Sequence, residues 1–295
     1  MASKLFDAYI TSRDGKIAPK TIETYRNNYN RFVKLAGSKK LLHNYSQQVI
    51  LDKLNEYDGD RLSILKTLCL IYTFKKGSCN ILMDGRRKME EEQHNTQHER
   101  NKELTDNLIS YDRLMEIVEN ARRMNSSDYV LFKLLLDTNC RNMDLIVKVV
   151  PKGEDTDDTT NYMIVDGDDV KYVRNTYKTM KTYGVKTNDI TDPDMIKHIK
   201  GRLGKYLFEN RCGKVYNNME IGNLVLRRFN IYEKNCKLNQ QNVFKILKRR
   251  VDENNDLQGA ETLCNNRGHH METSIKYYRS VEPVSNNDID LDELD

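Results

Sequence analysis

Along most of the chain apolar residues recur at three- and four-residue steps, the mark of helices with one buried face. Ile22, Tyr25, Tyr29, Phe32 and Val33 define the first such face, on a helix that Thr21 can cap and Gly37 can end. Two more helices are expected near residues 46–57 and 60–74, and in the second of them Leu62, Leu65, Leu68, Cys69 and Tyr72 form the buried stripe. Residues 86–104 are almost wholly polar, the composition of a connector between domains that can be partly helical. Helical spacing resumes at 111–122 and 127–137, and then the period shortens. Residues 161–165 and 170–176 alternate on either side of Asp166-Gly167-Asp168-Asp169, which predicts a hairpin, and Gly184 marks a turn before a third strand near 185–190. Helices return at 192–207, 219–234, 240–251 and 257–265. The expected fold class is mainly α with a small antiparallel β-sheet (α+β). The expected division is a helical domain over 1–85, the connector at 86–104, a larger domain over 105–284 and a tail at 285–295.

Composition sharpens this picture in a few places. The length of 295 residues exceeds one average domain and suits two. No run of about 18 apolar residues exists, so a membrane span is not expected. The net charge is +4, but residues 286–295 carry five acids and no base, so the body of the chain is distinctly basic. A nucleic-acid partner would account for that, and so would an ordinary lysine-rich surface. Six cysteines contain no C-x-x-C pair and follow nothing resembling a signal peptide, which suggests reduced thiols in an intracellular protein. Cys264 with His269 and His270 lacks a second ligand pair at usual spacing, so no metal is expected. No internal repeat and no P-loop is present.

Three stretches carry candidate chemistry. Arg141, at the end of an apolar helix with Asp144 three residues on, can hold two oxygens of a phosphodiester; the same spacing also suits an intrahelical ion pair. Residues 175–184 present several cations at a turn. A lysine there can act as a general acid toward a leaving oxygen, or the lysines can simply protect a solvated hairpin edge. The last stretch, 267–281, sets Gly268-His269 ahead of a tyrosine pair, Tyr277-Tyr278, which can bring an imidazole and a phenol to one cleft.

In this order the pieces resemble the tyrosine recombinase and phage-integrase family, especially the integrase-like proteins of large eukaryotic DNA viruses and virophages. Thr21-Ile22-Glu23-Thr24-Tyr25 looks like the start of the family's helical core-binding domain, and residues 137–281 follow its catalytic domain in sequence order. The resemblance implies a core-binding domain over 1–85 and a catalytic domain over 105–284. Arg141 looks like the family's first catalytic arginine, Lys178 in Tyr-Lys-Thr like its hairpin lysine, and His269 like the histidine of its Gly-His. Tyr278, nine residues beyond His269, takes the nucleophile's place, and Tyr277 falls one short. One element departs: where the family has His-x-x-Arg, this chain has Asn242-Val243-Phe244-Lys245. Lysine keeps the charge and loses the planar fork, so Lys245 is the expected second cation, with Arg249 or Arg250 as alternatives.

The activity implied is DNA cleavage and rejoining through a 3′-phosphotyrosine intermediate, for integration or recombination, with no cofactor. Double-stranded DNA is the implied partner, bound by a homo-oligomer, dimer or tetramer, in a host nucleus or viral replication compartment. A DNA-binding protein of the same fold with a degenerate site and a type IB topoisomerase are the other readings. Candidate phosphate contacts are Lys20, Arg26, Lys181, Lys186, Arg227, Arg228, Lys248 and Arg249.

Overall fold

The computed structural model describes residues 2–13, 15–37 and 42–271. The chain divides into two compact units, Met1–Glu99 and Arg100–Asp295. The first holds α1 (Ala2–Thr11), α2 (Pro19–Ala36), a 3-10 turn at Leu42–Asn44, α3 (Gln47–Asn55) and α4 (Arg61–Lys76). The boundary falls within α5 (Asn80–Asp106), so the polar stretch at 86–104 is helical. Ser46 and Asp60 cap α3 and α4 by accepting the N–H groups of Val49 and Ser63. The start of α2 moves from the expected Thr21 to Pro19, whose locked φ suits a first helical position and needs no donor. Its core joins Phe6, Tyr29, Phe32, Leu54, Leu65 and Leu68. The buried Asn28 amide is satisfied by Ser63 and Thr67.

The second unit contains α6 (Tyr111–Met124), α7 (Ser126–Thr138), a 3-10 turn at Asn142–Leu145, β1 (Val147–Pro151), β2 (Asn161–Asp166), β3 (Asp169–Arg174), α8 (Met180–Tyr183), β4 (Lys186–Ile190), α9 (Pro193–Lys200), α10 (Asn218–Tyr232), α11 (Gln240–Glu253) and α12 (Leu257–Arg267). The sheet runs β1-β2-β3-β4. It is mixed rather than wholly antiparallel, because β1 pairs parallel with β2, Val147 opposite Asn161. The loop at 152–160 is long enough to carry the chain back along β1 before β2 begins. β2–β3 and β3–β4 are antiparallel, with Asp166 opposite Asp169 and Arg174 opposite Lys186.

The helix expected over 192–207 stops at Lys200. Gly204 sits at φ +78°, and the chain beyond it bonds to β1 instead: Gly204 N–H to Val149 O at 2.9 Å and Leu207 N–H to Val147 O at 2.9 Å. The outer edge of β1 is thereby covered.

α7 is the central helix of this unit. Val130, Leu131, Phe132, Leu134 and Leu135 are buried, and the helix packs against α6, α9 and α11. Phe132 stacks on Phe229 of α10 at 3.9 Å between ring centroids, with Tyr232 edge-on at 5.7 Å. Removing that ring leaves a cavity the neighbours cannot fill. Phe132→Ala is expected to lower unfolding free energy by about 3–5 kcal/mol in urea titration.

Candidate active site

Arg141 lies just beyond α7, which Asn139 ends in the left-handed region at φ 49°. Its backbone is locked reciprocally: Asp144 N–H donates to Arg141 O at 2.9 Å, and Arg141 N–H donates to Asp144 Oδ2 at 2.9 Å. The hydrogen bond from Arg141 to this carboxylate is therefore made by its backbone. Its guanidinium reaches the other way, donating from Nη1 to Arg267 O at 2.7 Å. Burial pushes the Asp144 carboxyl above its usual range, opposed by the Arg141 N–H and by the Arg174, Arg141 and Arg267 charges.

That bond ties Arg141 to the end of α12. Gly268 there has φ +69°, and His269 N–H closes the turn on Cys264 O at 3.1 Å. Glycine is required twice over, by its dihedral and by space. A Cβ would come within 2.7 Å of Thr179 Oγ1 and 2.8 Å of Tyr177 Cε2. Thr179 Oγ1 also donates to Gly268 O at 2.6 Å. The two residues flanking Lys178 thus rest on Gly268, and Lys178 itself is exposed between them.

His269 is buried, its ring edge-on to Phe244 of α11 at 5.4 Å. Burial first, then the charges of Arg267, Arg141 and His270, lower its pKa to about 4. The imidazole is therefore neutral at pH 7. Lys245, next to Phe244 on α11, is buried too, and burial holds its ammonium below the ordinary lysine value.

Asn242 is occupied with its own helix end, donating Nδ2–H to Lys237 O at 2.8 Å. Arg249, the alternative second cation, donates to Ile109 O at 2.9 Å, and Arg250 lies over the Tyr111 ring at 5.4 Å. Lys248 is buried and paired with Asp252, and Arg228 pairs with Asp128 at 3.3 Å, so neither is a freely exposed phosphate contact. The structure thus brings together Arg141, the 177–179 loop and Gly268-His269, with α11 alongside through Phe244. Tyr278 and Tyr277 lie outside the described residues, as does the acidic tail.

Two arginines escaped the sequence reading. Arg267 is buried, with its guanidinium 4.2 Å above the Phe244 ring and Nη2 donating to Gln240 Oε1 at 3.1 Å. Arg174 is buried at the end of β3, on the same face as Val170 and Tyr172. An arginine on the apolar face of an alternating strand was the one signal available for it.

No family model matches the chain, and no curated protein matches it. Solved structures do. XerH site-specific recombinase, in a post-cleavage complex with palindromic difH substrate, is similar with a TM-score of 0.52 at 14% identity, covering 94% of this chain and 80% of that one. A lambda integrase tetramer bound to a Holliday junction is similar with a TM-score of 0.50 at 13% identity, covering 94% and 76%. XerA recombinase covers 94% and 92% at 14% identity with a TM-score of 0.40. The fold, mostly helical with a small four-stranded mixed sheet, is that of the tyrosine recombinases.

Gly268→Ala should cost on the order of 1–3 kcal/mol from its dihedral alone, read as a lower urea midpoint. The lowered pKa of His269 also has a sign. Between about 6.5 and about 4 the unfolded chain binds the proton and the folded one does not, so stability falls as pH drops through that window. Complete passage removes on the order of 3 kcal/mol, and His269→Asn should flatten that part of the pH–stability curve.

Proposed function

We propose that this chain is a tyrosine recombinase of the integrase type, like those of large eukaryotic DNA viruses and virophages. It cleaves and rejoins DNA through a 3′-phosphotyrosine intermediate. The observation that supports this most is the bonded set on the recombinase-like fold: Arg141 to Arg267 O, and Thr179 to Gly268 O beside His269. The first unit then serves as the core-binding domain and the second as the catalytic domain. Double-stranded DNA is the substrate, and a dimer or tetramer assembles on it.

In this mechanism the Tyr278 phenolate oxygen attacks phosphorus and forms the phosphotyrosyl bond, while the bond to the 5′ oxygen breaks. Lys178, exposed on its loop, gives its proton to that leaving oxygen. Arg141 and Lys245 neutralise the charge developing on the phosphate oxygens, and neutral His269 hydrogen-bonds one of them. A free phenol has a pKa of about 10, and the surrounding cations favour its phenolate. The covalent ester conserves the energy of the cleaved bond, so a 5′ hydroxyl from another strand can reverse the step and exchange strands.

A second reading has an observation of its own. Lys245 is a buried lysine with a lowered pKa where the family has an arginine, and Asn242 is engaged at its own helix end. Those features fit a DNA-binding protein of this fold that no longer cleaves.

A nicked suicide duplex separates the two readings. The first expects wild type and Tyr277→Phe to give a covalent adduct on a denaturing gel, Tyr278→Phe to give none, and Arg141→Ala to slow its formation by about 10²- to 10³-fold. Duplex binding without any adduct would establish the second reading instead.

A further inference from the structure

The last carbonyls of a helix have no partner within it, and they carry the negative end of its dipole. At the end of α12 four successive carbonyls are each taken by a side chain from another part of the unit. Lys186 Nζ donates to Asn265 O, Arg174 Nη1 to Asn266 O at 3.0 Å, Arg141 Nη1 to Arg267 O at 2.7 Å, and Thr179 Oγ1 to Gly268 O at 2.6 Å. Three of the four donors are cations, the charge a helix C-terminus favours.

Arg174 is the member of this set that is sealed from solvent, at 1% exposure. Its Nη1 also approaches Thr138 O, at the end of α7, at 3.4 Å, and Asp144 Oδ2 at 3.8 Å. Its Nη2 donates to Asn188 Oδ1 of β4 at 3.0 Å. The Tyr172 and Tyr177 rings lie 5.5 and 6.0 Å from its central carbon. One rigid fork therefore joins the ends of α7 and α12, the turn carrying Asp144, and β4. A lysine here could satisfy one acceptor where the guanidinium satisfies several.

We propose that Arg174 is a positioning residue: it sets where α12 ends, and so holds the Gly268-His269 turn against Arg141 and the Lys178 loop without touching DNA. Its catalytic consequence rests on the recombinase reading; its geometric consequence does not. Displacement of catalytic groups by about 1 Å can cost about 10²-fold in rate, so loosening this clamp should be felt in chemistry before binding.

The test uses the full chain with Arg174→Lys, Arg174→Met and Asn188→Leu, the last removing one acceptor while leaving the arginine in place. Three quantities are measured: the His269 titration midpoint by NMR of histidine-labelled protein, the single-turnover cleavage rate on the suicide duplex, and affinity for an uncleavable duplex. For folded Arg174→Lys and Asn188→Leu, the expected result is a His269 midpoint raised by about one unit or more toward 6.5 as the ring loses its burial. Cleavage should fall about tenfold or more, with duplex affinity within about twofold of wild type. Arg174→Lys should retain more activity than Arg174→Met, and if the methionine variant does not fold, Asn188→Leu decides. Variants that melt earlier but keep the wild-type His269 midpoint and cleavage rate would reduce Arg174 to a stabilising residue and overturn the proposal. If wild type forms no adduct while the midpoint still shifts, the recombinase reading fails and the positioning role stands.

Discussion

A helix cannot satisfy all of its own last carbonyls, and in the second unit that deficit draws together Arg141, the 177–179 loop and the Gly268-His269 turn. Donors for the end of α12 come from the turn after α7, from β3, from the 177–179 loop and from β4. Meeting the deficit requires these segments to converge. The mixed sheet brings Arg174 and Lys186 opposite each other on neighbouring strands, so that adjacent carbonyls receive adjacent cations. Gly268 allows the loop to approach because it has no side chain to hold it off.

The same convergence explains the electrostatics. Arg141, Arg174 and Arg267 all act on one buried carboxylate, Asp144, so positive charge is in excess there. Burial dominates the depressed values of both His269 and Lys245, and for His269 the neighbouring arginines add to it. Burial there disfavours charge of either sign, while the arginines favour an anion over a further cation. Within the proposed function, that excess is what lets a phosphate gather charge as its bond breaks. The departure from the family's pattern, within the same proposed function, is confined to Asn242 and Lys245 and does not touch the arginines around Asp144.

Much of the fold could be read from local chemistry, because helix caps are local. Ser46, Asp60 and Gly37 mark boundaries that the structure keeps. α9 was overrun because Ile196, Ile199, Leu203 and Leu207 continue the helical step past two glycines, while the pairing of 204–207 with β1 is set by distant residues. β1 escaped because Val147–Pro151 is short and its covering partner lies more than fifty residues later. In the candidate site, Arg141, Lys178 and His269 stand in short recognisable motifs. Arg174 does not, since its partners are two backbone carbonyls and an asparagine far along the chain.

The clamp on α12 has an asymmetry that bears on how such a chain can vary. Every residue has a backbone carbonyl, so exchanging Asn265 or Asn266 for another helix-compatible residue leaves the acceptors where they are. The donors have no such freedom: Lys186, Arg174, Arg141 and Thr179 each act through a particular side chain. Drift is therefore cheap at Asn265 and Asn266 and costly both at Gly268 and in the segments that grip it. A lineage of this protein would carry the imprint of its Gly-His turn in β3, β4 and the loop between them, which touch the turn but lie some eighty to ninety residues before it in the chain.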